Sequence, residues 1–167
     1  MPTAKPRNRA VQKPVHRPWP LSQRPGFLIR RLHQIHVALF QQACANSDIT
    51  PLQYSLLSAL AGRGTADQTT LAADIALDRT TTTGALKRLA ARKLVERAID
   101  GNDRRARLCR LTPSGAALLA RLETPAREAH GATLGGLNKK EQALFIAMMQ
   151  RIVAEQTGSG ADAAIDD

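Results

Sequence analysis

The feature that most constrains the fold of this chain is a change in the period of its apolar residues. Two short helical patterns, at about 68–76 and 79–92, are separated only by the tight joint 76–78. Directly afterwards the spacing changes to alternation over 95–99 and again over 107–111, which predicts two short strands. The order therefore predicts a helix-turn-helix followed by a β-hairpin, or wing.

Further helical patterns lie on both sides of this unit. Apolar residues recur at spacings of three and four over 25–45, and two long helical patterns follow the hairpin, with a kink expected at Pro125. Only 3% of the residues are aromatic, so the core must come from Leu, Ala, Ile and Val. Capping residues mark the helix starts: Thr50-Pro51-Leu52-Gln53, Asp78, Thr112-Pro113, and Asn138 with Glu141.

The formal net charge of +10 implies a polyanionic partner, either nucleic acid or an anionic membrane surface. No apolar run is long enough to span a bilayer, and no apolar segment of the secretory type follows the basic N-terminus. We expect double-stranded DNA as the partner and no membrane. Two cysteines are too few for a disulfide framework. We therefore expect a reduced protein of the cytoplasm.

Much of the positive charge falls on the second helix of the helix-turn-helix and on the hairpin. Hydroxyls and Arg at the N-terminal end of a recognition helix reach phosphates and base edges, and a cationic hairpin tip can enter the minor groove. The predicted DNA-contacting residues are Arg79, Thr80, Thr81, Thr83, Gly84, Lys87 and Arg88 on the helix, with Thr82 turned inward, and Asp103, Arg104, Arg105 and Arg107 on the wing. The alternatives are a capping and packing cluster for the threonines and a solvated loop for the wing.

Residues 71–115 strongly resemble the MarR family of bacterial regulators, and a looser similarity extends over 25–156. Two positions depart from the family pattern: Thr82 stands where the family usually has an aliphatic residue, and Gly84 stands where it often has a larger residue. The matching segments are Asp78-Arg79-Thr80-Thr81, Leu89 with Leu94-Val95, Asp103-Arg104-Arg105-Ala106 in the wing, and Leu111-Thr112 with Gly115.

The resemblance implies a mainly α fold with a small β-hairpin wing, in a dimeric winged helix-turn-helix architecture. The homodimer would bind a palindromic operator in double-stranded DNA, most often as a repressor, with half-sites roughly 10 base pairs apart. Residues 48–111 would form the DNA-binding lobe, and 25–47 with 112–156 the helical dimerisation region. We expect disordered tails at 1–24, which is basic and proline-rich, and at 157–167.

The resemblance also implies an effector pocket between the dimerisation helices and the DNA-binding lobe. A small aromatic carboxylate, such as a nicotinate or benzoate derivative, would bind there and release the DNA; the first helix resembles that of nicotinate-pathway repressors. The candidate effector-binding residues are Arg30, His33, His36, Phe40, Gln53 and Tyr54. The alternative is that the arginine is solvated and that the histidines pack or make dimer contacts.

Three other functions can be weighed from the sequence. Cys44 or Cys109 could make the protein a thiol-based redox sensor, although buried thiols usually act as small apolar groups. A ligand-independent architectural DNA-binding protein would share the same basic surface. The sequence has no metal-ligand spacing, phosphate-binding glycine loop or nucleophile elbow, so we expect neither catalysis nor a metal or cofactor.

Overall fold

The computed structural model describes residues 19–99 and 107–162. Within these ranges the chain is mainly helical with a small antiparallel sheet, as the sequence predicts. The elements are α1 (Pro25–Ala43), α2 (Pro51–Arg63), β1 (Thr65–Asp67), α3 (Gln68–Asp74), α4 (Arg79–Ala91), β2 (Val95–Ile99), β3 (Arg107–Leu111), α5 (Pro113–Thr133) and α6 (Lys139–Asp162), with short 3-10 turns at Leu21–Gln23 and Ala45–Ser47.

Local capping residues set the helix starts. Thr50 and Gln53 form a reciprocal capping box, in which the Gln53 Oε1 accepts from the Thr50 amide at 3.0 Å. The Asp78 carboxylate accepts the Thr81 amide at 2.8 Å and so begins the recognition helix α4. The predicted caps at Thr112 and Asn138 are likewise confirmed.

The sheet contains the predicted hairpin and one strand that the sequence did not reveal. Its order is β1-β3-β2, with β3 in the centre and both pairings antiparallel. Cys109 of β3 is paired with Ala66 on one side and with Arg97 on the other. The extra strand therefore ties the start of the helix-turn-helix to the base of the wing.

The core joins the helix-turn-helix to the helices around it. Leu57 and Leu60 of α2, Leu71 of α3, and Leu86 and Leu89 of α4 are all fully buried. Thr82 is also fully buried, and its hydroxyl donates to the Asp78 carbonyl at 2.9 Å. The sequence placed Thr82 half inside, and the structure buries it completely, which its satisfied hydroxyl permits.

The long helix predicted after the wing is confirmed, and the last helix runs on further than the sequence suggested. The helix α5 continues through Pro125 as one element, and α6 extends to Asp162, so residues 157–162 are helical and not part of a frayed tail. The Thr157 hydroxyl donates to the Val153 carbonyl at 2.9 Å, which occupies its polar group without breaking the helix.

Candidate nucleic-acid interface and adjoining groove

The first turns of α4 present polar side chains on the outside of the helix-turn-helix. Thr80 and Thr81 are exposed, as is Arg79 at the first helical position. Thr83 is half-buried; its hydroxyl donates to the Arg79 carbonyl at 2.6 Å and accepts from the side-chain amide of Gln68. Gln68, at the start of α3, was not among the predicted site residues, and it fixes the Thr83 hydroxyl from the neighbouring helix.

Further cations continue the exposed face of α4. Lys87 and Arg88 are both exposed, one turn beyond the threonines. A Cβ added to Gly84 would lie 3.6 Å from the Arg88 Nη1, so the Arg88 side chain folds back over the glycine. The face therefore combines small groups that permit close approach with charges that suit phosphates.

The tip of the predicted wing lies outside the described residues. This applies to Asp103, Arg104 and Arg105, while Arg107 is the first residue of β3. On the described strands, Arg110 and Glu96 form an exposed cross-strand ion pair at 2.7 Å. The strands below the wing are therefore partly charge-compensated.

Both cysteines are buried in the hydrophobic core. Cys44 is 4% exposed at the end of α1, and Cys109 is 1% exposed on β3. Burial raises the pKa of both thiols, and at Cys109 the adjacent Arg97 only partly offsets that effect. A thiol in this state is a poor nucleophile, because the thiolate is the reactive form.

Three of the predicted effector residues come together in an aromatic cluster between α1, α2 and α5. The His36 and Phe40 rings are 6.2 Å apart, and the Phe40 and Tyr54 rings 5.5 Å. The cluster is completed by His130 of α5, which stacks on His36 with ring centroids 4.6 Å apart. His130 was not predicted as a site residue.

The protonation of His36 is set by its partner. The single hydroxyl proton of Thr133 is donated to the Ala129 carbonyl at 2.8 Å, so the Thr133 Oγ1 must accept from the His36 Nδ1, 3.0 Å away. The neutral ring then carries its proton on Nδ1 and leaves Nε2 as an acceptor. Burial lowers the pKa of His36, and the charges of His130 and His33 lower it further.

Two grooves adjoin the cluster. The larger, of about 690 Å³, runs from Tyr54 and His130 along α2 to the turn before the recognition helix. Its lining includes Ser58, Arg63 and Asp74. The smaller, of about 410 Å³, shares Tyr54, Ser58 and His130 and opens toward Arg127 on α5.

Of the six predicted effector residues, Tyr54 alone lines the grooves; His36 and Phe40 belong to the aromatic cluster but not to either lining, and the other three lie elsewhere. Arg30 and His33 are exposed on α1, with the Arg30 guanidinium 5.6 Å from the centre of the Phe27 ring. Gln53 is buried, and its side chain is engaged in the capping box of α2. The groove is instead lined by residues of the outer face of α2, the end of α3 and His130.

Two negative findings concern only the described part of the chain. It contains no group of three His, Cys, Asp or Glu side chains placed to hold a metal ion. It also contains no helix with the length and apolar character needed to cross a bilayer.

Comparisons with known proteins agree with this architecture. Residues 47–106 match the MarR family. The chain is 33% identical over 143 residues to the HTH-type transcriptional repressor NicR of Pseudomonas putida, covering 86% of this chain and 90% of NicR.

Solved structures give the same result. Bordetella bronchiseptica BpsR, whose DNA binding is regulated by 6-hydroxynicotinic acid, superposes with a TM-score of 0.77 at 35% identity, covering 81% of this chain and 97% of that one. An Escherichia coli MarR variant complexed with operator DNA superposes with a TM-score of 0.71 at 25% identity, covering 76% and 91%. This chain therefore belongs to the MarR family of DNA-binding transcription regulators.

Proposed function

We propose that this protein is a repressor that binds a palindromic operator as a homodimer and releases it on binding a small aromatic carboxylate. The observation that carries the proposal is the placement of the larger groove, which ends at the turn that leads into the exposed, cationic face of α4. A ligand in that groove contacts the element that orients the recognition helix. Such a protein acts on DNA in the cytoplasm and needs no catalytic group or cofactor.

The DNA contacts follow from the exposed face of α4. Arg79, Thr80 and Thr81 enter the major groove at the N-terminal end of the helix, where hydroxyls and guanidinium groups meet base edges. Lys87 and Arg88 bind phosphates and so fix the position of the helix on the duplex. Thr83 acts through its hydrogen bond from Gln68, and the wing residues Asp103, Arg104, Arg105 and Arg107 reach the adjacent minor groove.

The homodimer is supported by apolar surface on the two terminal helices. Large apolar residues are exposed on α1 and on α6. A twofold pairing of these helices would bury that surface and place two recognition helices on one face. The exposed apolar residues are Leu28, Ile29 and Ile35 on α1, and Leu144, Ile146, Met148, Met149, Ile152 and Val153 on α6.

The aromatic acid is supported by the chemistry beside the groove. Tyr54 and His130 offer flat rings for stacking, and their polar atoms suit a ring hydroxyl. NicR and BpsR, to which the chain is similar, are respectively named a repressor and a regulator controlled by 6-hydroxynicotinic acid. We take the same ligand class as the first to test here.

The test is a gel-shift titration on DNA fragments that the purified protein selects from a random pool. Wild type should bind a palindrome and be released by 6-hydroxynicotinate or benzoate. Lys87→Ala should weaken binding to all sequences and reduce the magnitude of the log-log salt slope by about two, because each protomer of the homodimer loses one phosphate contact. Lys139→Ala, which removes an equal charge at the start of α6, is the matched control and should leave both unchanged. Failure to select any DNA, or release by neither acid, would overturn the proposal.

A further inference from the structure

The end of the larger groove is closed by an ion pair that was not recognisable in the sequence. The Arg63 guanidinium, at the end of α2, holds the Asp74 carboxylate in a fork, with Nε–Oδ2 at 2.5 Å and Nη2–Oδ1 at 2.7 Å. Both residues line the groove together with Ala59, Gly62 and Ile75. A carboxylate is thus already bound to Arg63, the arginine among the described residues that line this groove, beside a small apolar surface.

The position of Asp74 connects this ion pair to DNA recognition. Asp74 is the last residue of α3, and Asp78 is the N-cap of α4. Between them the chain makes a tight turn in which Ala76 has a φ of 53°, a left-handed conformation that is unusual for a residue with a side chain. Few residues separate the ion pair from the recognition helix. The hydrogen bonds from Arg63 to Asp74 at the end of α3 therefore restrain the start of α4.

The carboxylate of a ligand can readily replace the Asp74 carboxylate on Arg63. The Arg63 and Asp74 side chains remain 49% and 24% exposed, and ion pairs as exposed as this contribute little to stability. A planar guanidinium binds any carboxylate in the same fork geometry. An arylcarboxylate in the groove can therefore replace Asp74 on Arg63 while its ring covers Ala59, Gly62 and Ile75.

We propose that Arg63 is the carboxylate anchor of the effector groove and that Asp74 occupies this anchor when no effector is bound. Effector binding exchanges one carboxylate for another, frees the end of α3 from α2 and lets the turn before α4 move. This inference rests on the proposed function, because it assigns the residue that reads the acid group of the ligand.

Two substitutions that break the same ion pair have opposite expected effects on ligand affinity. Asp74→Asn removes the competing carboxylate and should tighten binding of 6-hydroxynicotinate to the purified dimer by about fivefold. Arg63→Gln removes the anchor and should weaken it by more than about tenfold. If the ion pair had a purely structural role, both substitutions would change the affinity for 6-hydroxynicotinate in the same direction, since each removes the same contact.

The measurement is isothermal titration with 6-hydroxynicotinate, with benzoate and with the neutral 6-hydroxynicotinamide. The amide should show neither effect, because it has no carboxylate to place on Arg63. Arg127→Gln is the matched control: it removes an arginine that is paired with Glu123 at 3.1 Å and lines the smaller groove. Its affinity for the acids should stay within twofold of wild type.

The outcomes separate the two proposals. If the acids bind but neither substitution at the ion pair changes their affinity beyond that control, the assignment of Arg63 is overturned and the proposed function stands. If neither acid binds wild type or Asp74→Asn, the proposed function fails and the assignment fails with it. Weaker operator binding by both variants without effector would further support a restraint of α4 by the pair.

Discussion

The strictest requirement at the residue scale is the absence of a side chain at Gly115. A Cβ added there would lie 2.0 Å from the Leu94 carbonyl oxygen, a backbone atom that cannot rotate away. That carbonyl also accepts the Thr112 amide at 3.1 Å, so moving it would disturb the start of α5. The close approach fixes how α5 leaves the wing.

We predict that Gly115→Ala lowers the free energy of unfolding by about 1–3 kcal/mol, the usual cost of overpacking. Gly131→Ala is the matched control on the same helix, because a Cβ at Gly131 meets nothing within 4 Å. There the loss of glycine entropy should stabilise the protein by roughly 0.5–1 kcal/mol. Urea unfolding at a fixed protein concentration measures both; equal effects at the two positions would refute the close contact as the cause.

His36 gives the fold a dependence on pH. Since the pKa of His36 is lowered from its ordinary value of 6.5, the unfolded chain binds more protons than the folded one below that pH. The contribution of the neutral His36 ring to folding stability is therefore complete above about pH 6.5. It is lost as the pH falls through the lowered pKa of His36 in the folded state.

Replacing His36 with Asn keeps an N–H for Thr133 and removes the titrating ring, so unfolding stability should fall less steeply with acid than in wild type. Thermal unfolding between pH 5 and pH 7.5 tests this. His33→Gln removes an exposed imidazole whose charge is the smallest of the causes that lower the pKa of His36, so it should reduce the acid sensitivity less than the His36 substitution does. A variant whose acid sensitivity is unchanged would show that His36 is not the group responsible.

Residues are predictable from sequence where their role is local. Thr82 could be assigned to the interior because helical spacing puts it on the face of Leu86 and Leu89. His130 could not be found this way, because only the packing of α5 on α1 brings it to His36 across 94 residues of sequence. The same holds for Arg63 and Asp74, which lie on different helices.

At the element scale, predictability depends on whether an element carries its own start signal. The helices beginning at Pro51, Arg79 and Pro113 each follow a capping residue, and the sequence placed all three starts. The strand β1 has three residues, too few for an alternating pattern, and it forms only because β3 pairs with it. The helix α6 includes Gly158 and Gly160, residues that usually mark a helix end, so its extension to Asp162 was not predictable from the sequence.

The Arg92 guanidinium connects the end of α4 to the turn after α1. The Arg92 guanidinium, just after α4, donates to the Ser47 carbonyl at 2.8 Å and to the Asp48 carbonyl at 2.5 Å. Both carbonyls belong to the turn that follows α1. This contact holds the C-terminal end of α4, whereas the helix-turn-helix joint holds its N-terminal end.

We predict that Arg92→Ala lowers the free energy of unfolding by about 1 kcal/mol, since hydrogen bonds from a charged donor are lost at a half-exposed site. Operator affinity should fall further than this instability explains, because the angle of α4 is released. Arg92→Lys keeps the charge but lacks the planar guanidinium that donates to two carbonyls at once. It should recover only part of the lost unfolding free energy and of the lost operator affinity. Arg121→Ala is the charge-matched control on α5; operator affinity as low as that of Arg92→Ala would attribute the loss to net charge alone.

At the scale of the whole molecule, most of the exposed large apolar residues of the described ranges lie on α1 and α6; Trp19, Leu21 and Leu77 are the others. The exposed face of α4 carries cations. This distribution suits the proposed arrangement, with a duplex at α4 and a second copy at α1 and α6. Twofold symmetry then doubles the number of phosphate contacts without any change in the lobe.

Dimerisation and the salt dependence of DNA binding should therefore change together. Ile152 is 62% exposed on α6, and Ile152→Glu puts a charge into the surface that we expect to be buried between protomers. Sedimentation equilibrium should show monomers, and the log-log slope of operator affinity against salt should fall to about half its wild-type magnitude, since one lobe contacts half as many phosphates. Gln150→Glu adds the same charge at an exposed polar position on α6 and should leave both unchanged. A monomer that keeps the full slope would mean that one lobe carries all the phosphate contacts, and the twofold arrangement would then be unnecessary for DNA binding.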